Sequence, residues 1–237
     1  VGLGKTISAG LIVSELIARS RLSKVLIVCP KLLGPQWKAE LSEKFDIPAE
    51  VVIGKDLVTA DLDEPGAIIT TYNSARLYLE KIPEDRYQML ILDEAHKLRN
   101  LYGVEKTPQV AKRFRKAFED RRFRFVLMLT ATPIQNRLWD LYSLVDLLAV
   151  ARGHENPFGS EGTFARRFIA DKLASLLVAS FAVEAFTLQR ICALPAVVLC
   201  TTAPEGADVS TLTPMPCLNC SGALSTSRSY SLRGHSI

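Results

Sequence analysis

The chain has 237 residues, a formal net charge of +4 and a charged fraction of 23%. This length is enough for one large domain or two small ones with a buried core, and the mildly basic charge permits a nucleic-acid partner without requiring one. The longest apolar run, residues 173–183, is far shorter than the roughly 20 residues of a bilayer-spanning helix, and no secretory signal is visible. We therefore expect a soluble protein with no membrane partner, and the odd number of cysteines argues against a disulfide framework.

Alternating apolar runs and amphipathic segments follow one another through about residue 170. The runs that begin at Val25, Met89 and Phe125 are continuously apolar, as in strands that are buried on both faces of a parallel sheet. This alternation predicts an α/β domain with a mainly parallel central sheet flanked by helices, and ligands in such domains bind outside the carboxyl ends of the strands. The predicted strands are Val25–Cys29, Val51–Ile53, Ala67–Thr70, Met89–Leu92 and Phe125–Leu129, and the predicted helices are Thr6–Arg19, Leu33–Phe45, Ser74–Leu79, Pro108–Phe118 and Trp139–Leu148.

The first motif is Val-Gly-Leu-Gly-Lys-Thr, residues 1–6, which leads directly into the first predicted helix. Glycines let backbone N–H groups turn toward phosphate oxygens, and the helix N-terminus adds its positive dipole end. In such a loop Lys5 would reach the β- and γ-phosphates, and the hydroxyl of Thr6 would bind Mg²⁺. Taken alone, the segment is also compatible with a glycine-rich turn. The residues predicted to bind the nucleotide are Gly2, Leu3, Gly4, Lys5 and Thr6.

The second motif is an apolar strand that ends in Asp93 and Glu94. Two adjacent carboxylates past such a strand are costly unless a cation or a solvated cleft uses them. Asp93 is placed to hold Mg²⁺ and Glu94 to polarise the attacking water. The alternative, a solvated turn, is disfavoured because Lys5 and Thr6 supply the complementary half of a nucleotide site. We expect His96 to hydrogen-bond toward the third motif.

The third motif follows the strand Phe125–Leu129 as Thr130-Ala131-Thr132-Pro133, with Gln135 and Asn136 in a turn behind it. Short hydroxyl side chains at this point can bond back to the acids of the second motif. The next helix has apolar residues at i, i+3, i+4 and i+7, which predicts core packing.

The basic segment 112–125 contains interleaved phenylalanines and has two interpretations. One is a nucleic-acid surface. The other is a helix whose buried face carries Phe114 and Phe118 and whose opposite face is solvated. The four-residue spacing of the two phenylalanines favours the helix.

Together with residues 27–37 and 68–76, these motifs resemble, in order, the Swi/Snf branch of superfamily-two helicase-like ATPases. The continuation Pro-Ile-Gln-Asn favours this branch over ordinary RNA helicases. The resemblance covers about residues 1–170 and implies a RecA-like P-loop lobe over 1–150, followed by the start of an inter-lobe region over 151–170. It also implies ATP and Mg²⁺ as cofactors and a complete protein that moves along double-stranded DNA and remodels protein–DNA complexes.

The resemblance assigns roles residue by residue. The implied catalytic residues are Lys5, Asp93, Glu94 and Gln135, and the implied Mg²⁺ ligands are Thr6 and Asp93. The residues that would couple the state of the bound nucleotide to the binding of DNA are His96, Thr130, Thr132 and Asn136. The residues that would lie along DNA phosphates are Pro30, Lys31, Thr70, Thr71 and Tyr72. The alternative for Pro30 and Lys31 is a strand-to-helix turn with a solvated lysine, and the alternative for the other three is an ordinary strand end.

Two departures from the family pattern bear on function. The family has a strand and an adenine-contacting segment ahead of the glycine loop, and a second lobe whose arginines complete hydrolysis. Because neither is found in the sequence, we expect an N-terminally truncated single lobe with little turnover. Two alternatives stay open: a non-catalytic docking module for nucleic acid or protein, and another superfamily-two enzyme such as a restriction-type translocase. A bacterial or archaeal cytoplasm is the expected compartment, and a nuclear one is compatible.

Residues 171–237 differ in composition from the rest of the chain. They hold only eight charged residues among 67 and four of the five cysteines, without a clear period. We interpret them as an irregular tail: a disordered segment, a small irregular domain or, as favoured here, residues read out of frame. Cys217 and Cys220 form a CxxC pair, but a structural zinc site needs four ligands, and we expect none here.

Overall fold

The computed structural model of the chain describes residues 4–62, 65–102 and 107–170, and the backbone of residues 196–200. These residues form a six-stranded sheet in the order β2-β3-β1-β4-β5-β6, in which every neighbouring pair is parallel. In the described ranges no helix is long and apolar enough to cross a bilayer. The strands are β1 (Lys24–Cys29), β2 (Ala49–Val51), β3 (Gly66–Thr71), β4 (Met89–Asp93), β5 (Phe125–Thr130) and β6 (Ala196–Cys200). The helices are α1 (Lys5–Ala18), α2 (Gly34–Phe45), α3 (Tyr72–Tyr78), α4 (Gln109–Glu119), α5 (Leu138–Ala151) and α6 (Glu161–Phe164).

Helices cover both faces of the sheet, so the central strands are buried on both sides. Alternate residues of β1 point to opposite faces: Val25 and Ile27 belong to one apolar cluster, and Leu26 and Val28 belong to the other. The first cluster contains side chains of α1 and α2, and the second contains side chains of α3, α4 and α5. This burial explains why the central strands are continuously apolar, and it confirms the predicted α/β architecture.

The edge strand β2 differs from its prediction at Val51–Ile53. It runs over Ala49–Val51, and Ala49 and Val51 lie opposite Ala67 and Ile69 of β3. The chain leaves the sheet after Val52, whose N–H donates to the Ile69 carbonyl, and Ile53 is 46% exposed. The apolar run therefore marks the end of the strand and the turn behind it. A strand with one neighbour is poorly located by hydrophobicity, because only part of it is buried.

A second difference lies within the segment that we predicted to be an irregular tail. Ala196–Cys200 forms β6, which pairs in parallel with β5 along its whole length. Its sequence, Ala-Val-Val-Leu-Cys, lacks polar–apolar alternation, and strands of parallel sheets commonly lack it. The remaining predictions for residues 171–195 and 201–237, including the Cys217–Cys220 pair, lie outside the described residues.

The basic segment 112–125 adopts the helical interpretation. Phe114 and Phe118 are buried in α4, and the ring of Tyr72 packs edge-on against Phe114 with 6.1 Å between centroids. On the outer face, the guanidinium of Arg113 donates to Glu80 at 2.8 Å. The phenylalanines therefore serve the core, and the basic residues between them face solvent and acidic neighbours.

The buried ring of Phe114 provides a test of this packing. Phe114→Ala is expected to lower the free energy of unfolding by about 3 to 5 kcal/mol, because it removes a fully buried ring and leaves a cavity. Lys112→Ala on the exposed face of the same helix is the control and should change stability by less than about 0.5 kcal/mol. Urea denaturation of both variants measures the difference. Equal midpoints for the two variants would contradict the assignment of the buried face.

Candidate active site

Four adjacent strands end at one edge of the sheet and bring the predicted motifs together. Strands β3, β1, β4 and β5 are parallel neighbours, so their last residues Thr71, Cys29, Asp93 and Thr130 lie along the same side. We call this side the carboxyl edge. Lys5, at the start of α1, is in contact with it through Asp93 and Glu94. The predicted placement of the motifs at strand ends is confirmed.

Lys5 is buried at the carboxyl edge. Gly4 precedes it with φ of 115°, a conformation that L side chains rarely adopt, and this turn lets α1 begin at Lys5. The side chain is 5% exposed; its ammonium forms a close ion pair with Glu94 and lies 3.6 Å from Oδ1 of Asp93. Thr6 follows in the first turn of α1, whereas Gly2 and Leu3 lie outside the described residues. The lysine thus stands where two carboxylates can hold a cation.

Asp93 is held on several sides. Its Oδ2 accepts a hydrogen bond from the indole Nε1–H of Trp37 at 2.9 Å, and its Oδ1 accepts from the backbone N–H of Glu94 at 3.0 Å. Its main-chain carbonyl accepts from the hydroxyl of Tyr72 at 2.8 Å. Burial and, after it, the negative charge of Asp93 raise the pKa of the Cys29 thiol to about 12, so this cysteine stays protonated.

Glu94 and His96 connect the second motif to the third. Glu94 has a left-handed backbone, with φ of 57°, which turns the chain sharply at the end of β4. Nδ1 of His96 lies 3.1 Å from Oε2 of Glu94 and 3.3 Å from Oγ1 of Thr130, so the expected approach of His96 to the third motif is present. Burial lowers the pKa of His96, although Glu94 opposes this effect. A neutral imidazole is therefore favoured here, and its tautomer decides whether Nδ1 donates a hydrogen bond or accepts one from the Thr130 hydroxyl.

The third motif forms a turn whose backbone is held by the carboxylate of Asp140. Oδ2 of Asp140 accepts from the backbone N–H groups of Gln135 at 3.2 Å and Asn136 at 3.0 Å. The Gln135 amide donates to Thr132 at 3.1 Å, and Thr132 N–H donates to the hydroxyl of Thr130. Gln135, predicted to be catalytic, is exposed and bonds within its own turn. Among the described residues no hydrogen bond or ion pair joins Gln135 to Asp93 or Glu94.

The five residues predicted to lie along DNA fall into two groups. Lys31 is exposed, and Pro30 and Thr71 keep part of their surface accessible. Thr71 also caps α3 by accepting from the Ser74 N–H. By contrast, Thr70 is 1% exposed, and the hydroxyl of Tyr72 is bonded to Asp93. In this conformation the Thr70 side chain and the Tyr72 hydroxyl are directed inside the domain, because strand-end residues alternate between the core and the edge.

Sequence reasoning missed two side chains that build the site. Trp37 was not singled out as a site residue, and it is buried with Leu41 in the apolar cluster that contains side chains of α2. A buried indole nonetheless needs a hydrogen-bond acceptor, and the nearby acids were a usable signal. Asp140 sits inside a helix with an apolar pattern, and its position three residues after Arg137 marks it as a helix-capping carboxylate.

A run of aromatic rings joins α5 to the segment behind it. The ring centroids of Trp139 and Phe164 are 5.1 Å apart. The centroid of Phe164 lies 4.6 Å from that of Tyr142 and 5.2 Å from that of Phe168. Phe158 packs against Phe164 and Phe168. We call these five residues the aromatic cluster. It fixes the segment around residues 158–168 to the helix that follows the third motif.

A helix that starts at a glycine turn, with its first lysine closed on an Asp-Glu pair at the ends of parallel strands, defines a RecA-like P-loop domain. The family described as "SNF2-related domain" matches residues 1–192, and the chain belongs to this family. The Swi/Snf-type resemblance of the motifs is thereby confirmed.

Similar proteins agree with this assignment. The chain is 38% identical over 178 residues to "Uncharacterized ATP-dependent helicase YqhH" of Bacillus subtilis, which covers 74% of the chain and 28% of the relative. It is 31% identical to "RNA polymerase-associated protein RapA" of Pectobacterium atrosepticum, over 65% of the chain and 16% of the relative. The solved structure "Sulfolobus solfataricus SWI2/SNF2 ATPase core in complex with dsDNA" is 27% identical with a TM-score of 0.56, covering 77% of this chain and 37% of that one. The chain thus spans about a quarter or less of the length of these two relatives.

The carboxylate of Asp140 gives a test of the third-motif turn. Asp140→Ala is expected to lower the free energy of unfolding by about 1 to 2 kcal/mol, because it leaves the backbone N–H groups of the turn without their acceptor. The amide protons of Gln135 and Asn136 should exchange faster with solvent, as measured by hydrogen exchange. Asp120→Ala, at the exposed end of α4, is the control. Unchanged exchange at Gln135 and Asn136 in the Asp140 variant would show that the turn is held by other contacts.

Proposed function

We propose that this chain is the ATP-binding motor lobe of a DNA-dependent ATPase and translocase of the Swi/Snf type. In its complete form the protein couples ATP hydrolysis to movement along double-stranded DNA and remodels protein–DNA complexes. The observation that carries this proposal is the closure of Lys5 on Asp93 and Glu94 at the carboxyl edge. The likeness to a solved Swi/Snf-type core in complex with double-stranded DNA supports it.

The residues present fit a magnesium–nucleotide complex. The ammonium of Lys5 between two carboxylates acts as a stand-in cation, and both acids are hydrogen-bonded in position. Apart from its chain neighbours, no described residue has an atom within 4 Å of the place that a Cβ on Gly4 would take. Among the described residues no side chain caps the first turn of α1. The backbone N–H groups at such a helix start suit phosphate oxygens.

Each residue then has a defined task. Lys5 would turn from Glu94 to the phosphates of a bound nucleotide, and Thr6 and Asp93 would hold the metal. Once Lys5 had moved, Glu94 would have a free oxygen to orient water and accept its proton, while His96 would remain on the other oxygen. Bound ATP supplies the transferable phosphoryl group, and Mg²⁺ neutralises the charge that develops on its oxygens. In the ion pair, Lys5 occupies Oε1 of Glu94, so this oxygen would act as a base only after the lysine had moved away.

DNA binding in this proposal uses phosphate contacts at the carboxyl edge. Lys31 is exposed in the short turn Lys31–Leu33 directly after β1. Pro30 and Thr71 have accessible surface beside it, whereas Thr70 and Tyr72 contribute through the shape of the strand end. Contacts of this kind position a protein on DNA and carry no sequence information.

A DNA-bound protein is the proposed remodelling target, and the bacterial cytoplasm is the proposed compartment. The similarity to a protein named for its association with RNA polymerase supports a transcription-related target. The bacterial sources of the similar curated proteins support the compartment.

Nucleotide binding tests the proposal directly. Lys5→Ala is expected to reduce the affinity for Mg²⁺–ATP at least tenfold, whereas Glu94→Gln should retain binding, because it removes the base and leaves the phosphate contacts. Calorimetric titration measures both, and Lys44→Ala at the exposed end of α2 is the control. Duplex DNA, single-stranded DNA and RNA are then compared for stimulation of hydrolysis, which we expect to be slow in this chain alone. Stimulation by RNA alone would contradict the proposal.

The salt dependence of DNA binding tests the phosphate contact of Lys31. Lys31→Ala should weaken duplex binding equally for all sequences and reduce the slope of log K against log salt by about 0.9. Lys44→Ala is the control. Lys44 lies in the last turn of α2, away from the carboxyl edge, so its substitution should leave the slope unchanged. Equal slopes for wild type and Lys31→Ala would show that Lys31 does not contact a DNA phosphate.

A further inference from the structure

Two aromatic side chains converge on Asp93 from different parts of the fold. Trp37 donates its indole N–H to Oδ2 at 2.9 Å, and Tyr72 donates its hydroxyl to the main-chain carbonyl at 2.8 Å. Trp37 is 1% exposed and Asp93 is 3% exposed, so water has little access to replace the indole. The acid is therefore held at both its side chain and its backbone.

Each donor belongs to a segment that follows a different strand. Trp37 lies in the first turn of α2, just after the Lys31–Leu33 turn that leaves β1. Tyr72 is the first residue of α3 and directly follows Thr71 at the end of β3. In the proposed function both segments lie along DNA. The strands β1 and β3 are neighbours, and β1 is also the neighbour of β4, which ends in Asp93.

The two oxygens of Asp93 have different surroundings. Oδ2 is bonded to Trp37, whereas Oδ1 accepts from the Glu94 N–H and lies 3.6 Å from the Lys5 ammonium. A carboxylate with one oxygen fixed in this way cannot rotate freely, so the same oxygen always faces the cation. Partners that orient a metal ligand in this way commonly change metal affinity by about 10- to 100-fold when removed.

We infer that Trp37 and Tyr72 are positioning residues for Asp93, and this inference rests on the proposed function. Trp37 selects the carboxylate oxygen that faces magnesium, and Tyr72 fixes the end of β4 that carries it. Neither residue touches nucleotide or metal. A merely structural role would lower stability and leave the magnesium dependence of nucleotide binding unchanged.

The test compares equivalent substitutions at the two tryptophans of the chain. ADP affinity is measured by calorimetry in EDTA and over a series of MgCl₂ concentrations, using wild type, Trp37→Phe, Tyr72→Phe and Trp139→Phe. In Trp37→Phe, the Mg²⁺ concentration that gives half of the affinity gain should rise about 10- to 100-fold, while the affinity in EDTA stays unchanged. Tyr72→Phe should raise this half-maximal Mg²⁺ concentration by a smaller factor. Trp139→Phe is the control, since Trp139 packs in the aromatic cluster.

A second readout remains valid if Trp37→Phe does not fold. In Trp139→Phe the single remaining tryptophan is Trp37, so its fluorescence emission reports on the hydrogen bond to Asp93. Adding Mg²⁺ to the ADP complex should shift this emission, because the metal withdraws electron density from the carboxylate. The Asp93→Asn change in the same background should abolish the shift.

The outcomes separate the inference from the function on which it rests. If wild type gains no ADP affinity from Mg²⁺, the proposed function fails and the inference fails with it. If wild type gains affinity and a folded Trp37→Phe shows the same Mg²⁺ dependence, only the positioning role is overturned. If Trp37→Phe is unfolded, an unchanged Trp37 emission on adding Mg²⁺ overturns the role, and a shift supports it.

Discussion

The ion pair between buried Lys5 and the two acids after β4 is the constraint on which the carboxyl edge depends. An unpaired charge inside a protein costs several kcal/mol, so Lys5 and Asp93, which are buried, and the partly buried Glu94 must meet. Their meeting brings the first turn of α1 against the end of β4. It also requires two sharp backbone turns, one at Gly4 and one at Glu94, each with positive φ. The local strain at these turns is sustained because the surrounding sheet fixes both elements.

Around this ion pair, polar groups are satisfied by donors from several elements. Trp37 comes from α2, Tyr72 from α3 and His96 from the turn after Glu94. Buried polar networks of this kind are stable only when their members have partners, and they then define one geometry. The apolar faces of the sheet supply the stability that a ring of charges cannot. The acids thus occupy a rigid and well-defined position before any ligand arrives.

The sequence predicts the parts of this design that follow from burial alone. The strands β1, β4 and β5 are apolar on both faces, so composition locates them, and Lys5, Asp93 and Glu94 stand out as charges beside apolar runs. The predicted position of the edge strand β2 was two residues too late, because a partly buried strand leaves a weak hydrophobic pattern in the sequence. Strand β6 was missed because alternation is the wrong signal for a parallel strand.

Side-chain direction was the harder quantity to obtain from sequence. Gln135 looked catalytic by position, yet its amide bonds to Thr132 in an exposed turn, and the turn geometry that decides this is set by Asp140. Tyr72 was predicted to belong to a segment along DNA phosphates, and its hydroxyl donates to the main-chain carbonyl of Asp93. Such directions depend on contacts between segments far apart in the chain, which periodicity along the sequence does not encode.

The aromatic cluster connects a distant segment to the third motif. Its rings pack the segment around residues 158–168 against the first half of α5. The third residue of that helix is Asp140, whose carboxylate accepts from the backbone of Gln135 and Asn136. A continuous series of contacts therefore joins the cluster to Glu94 through this turn, Thr130 and His96.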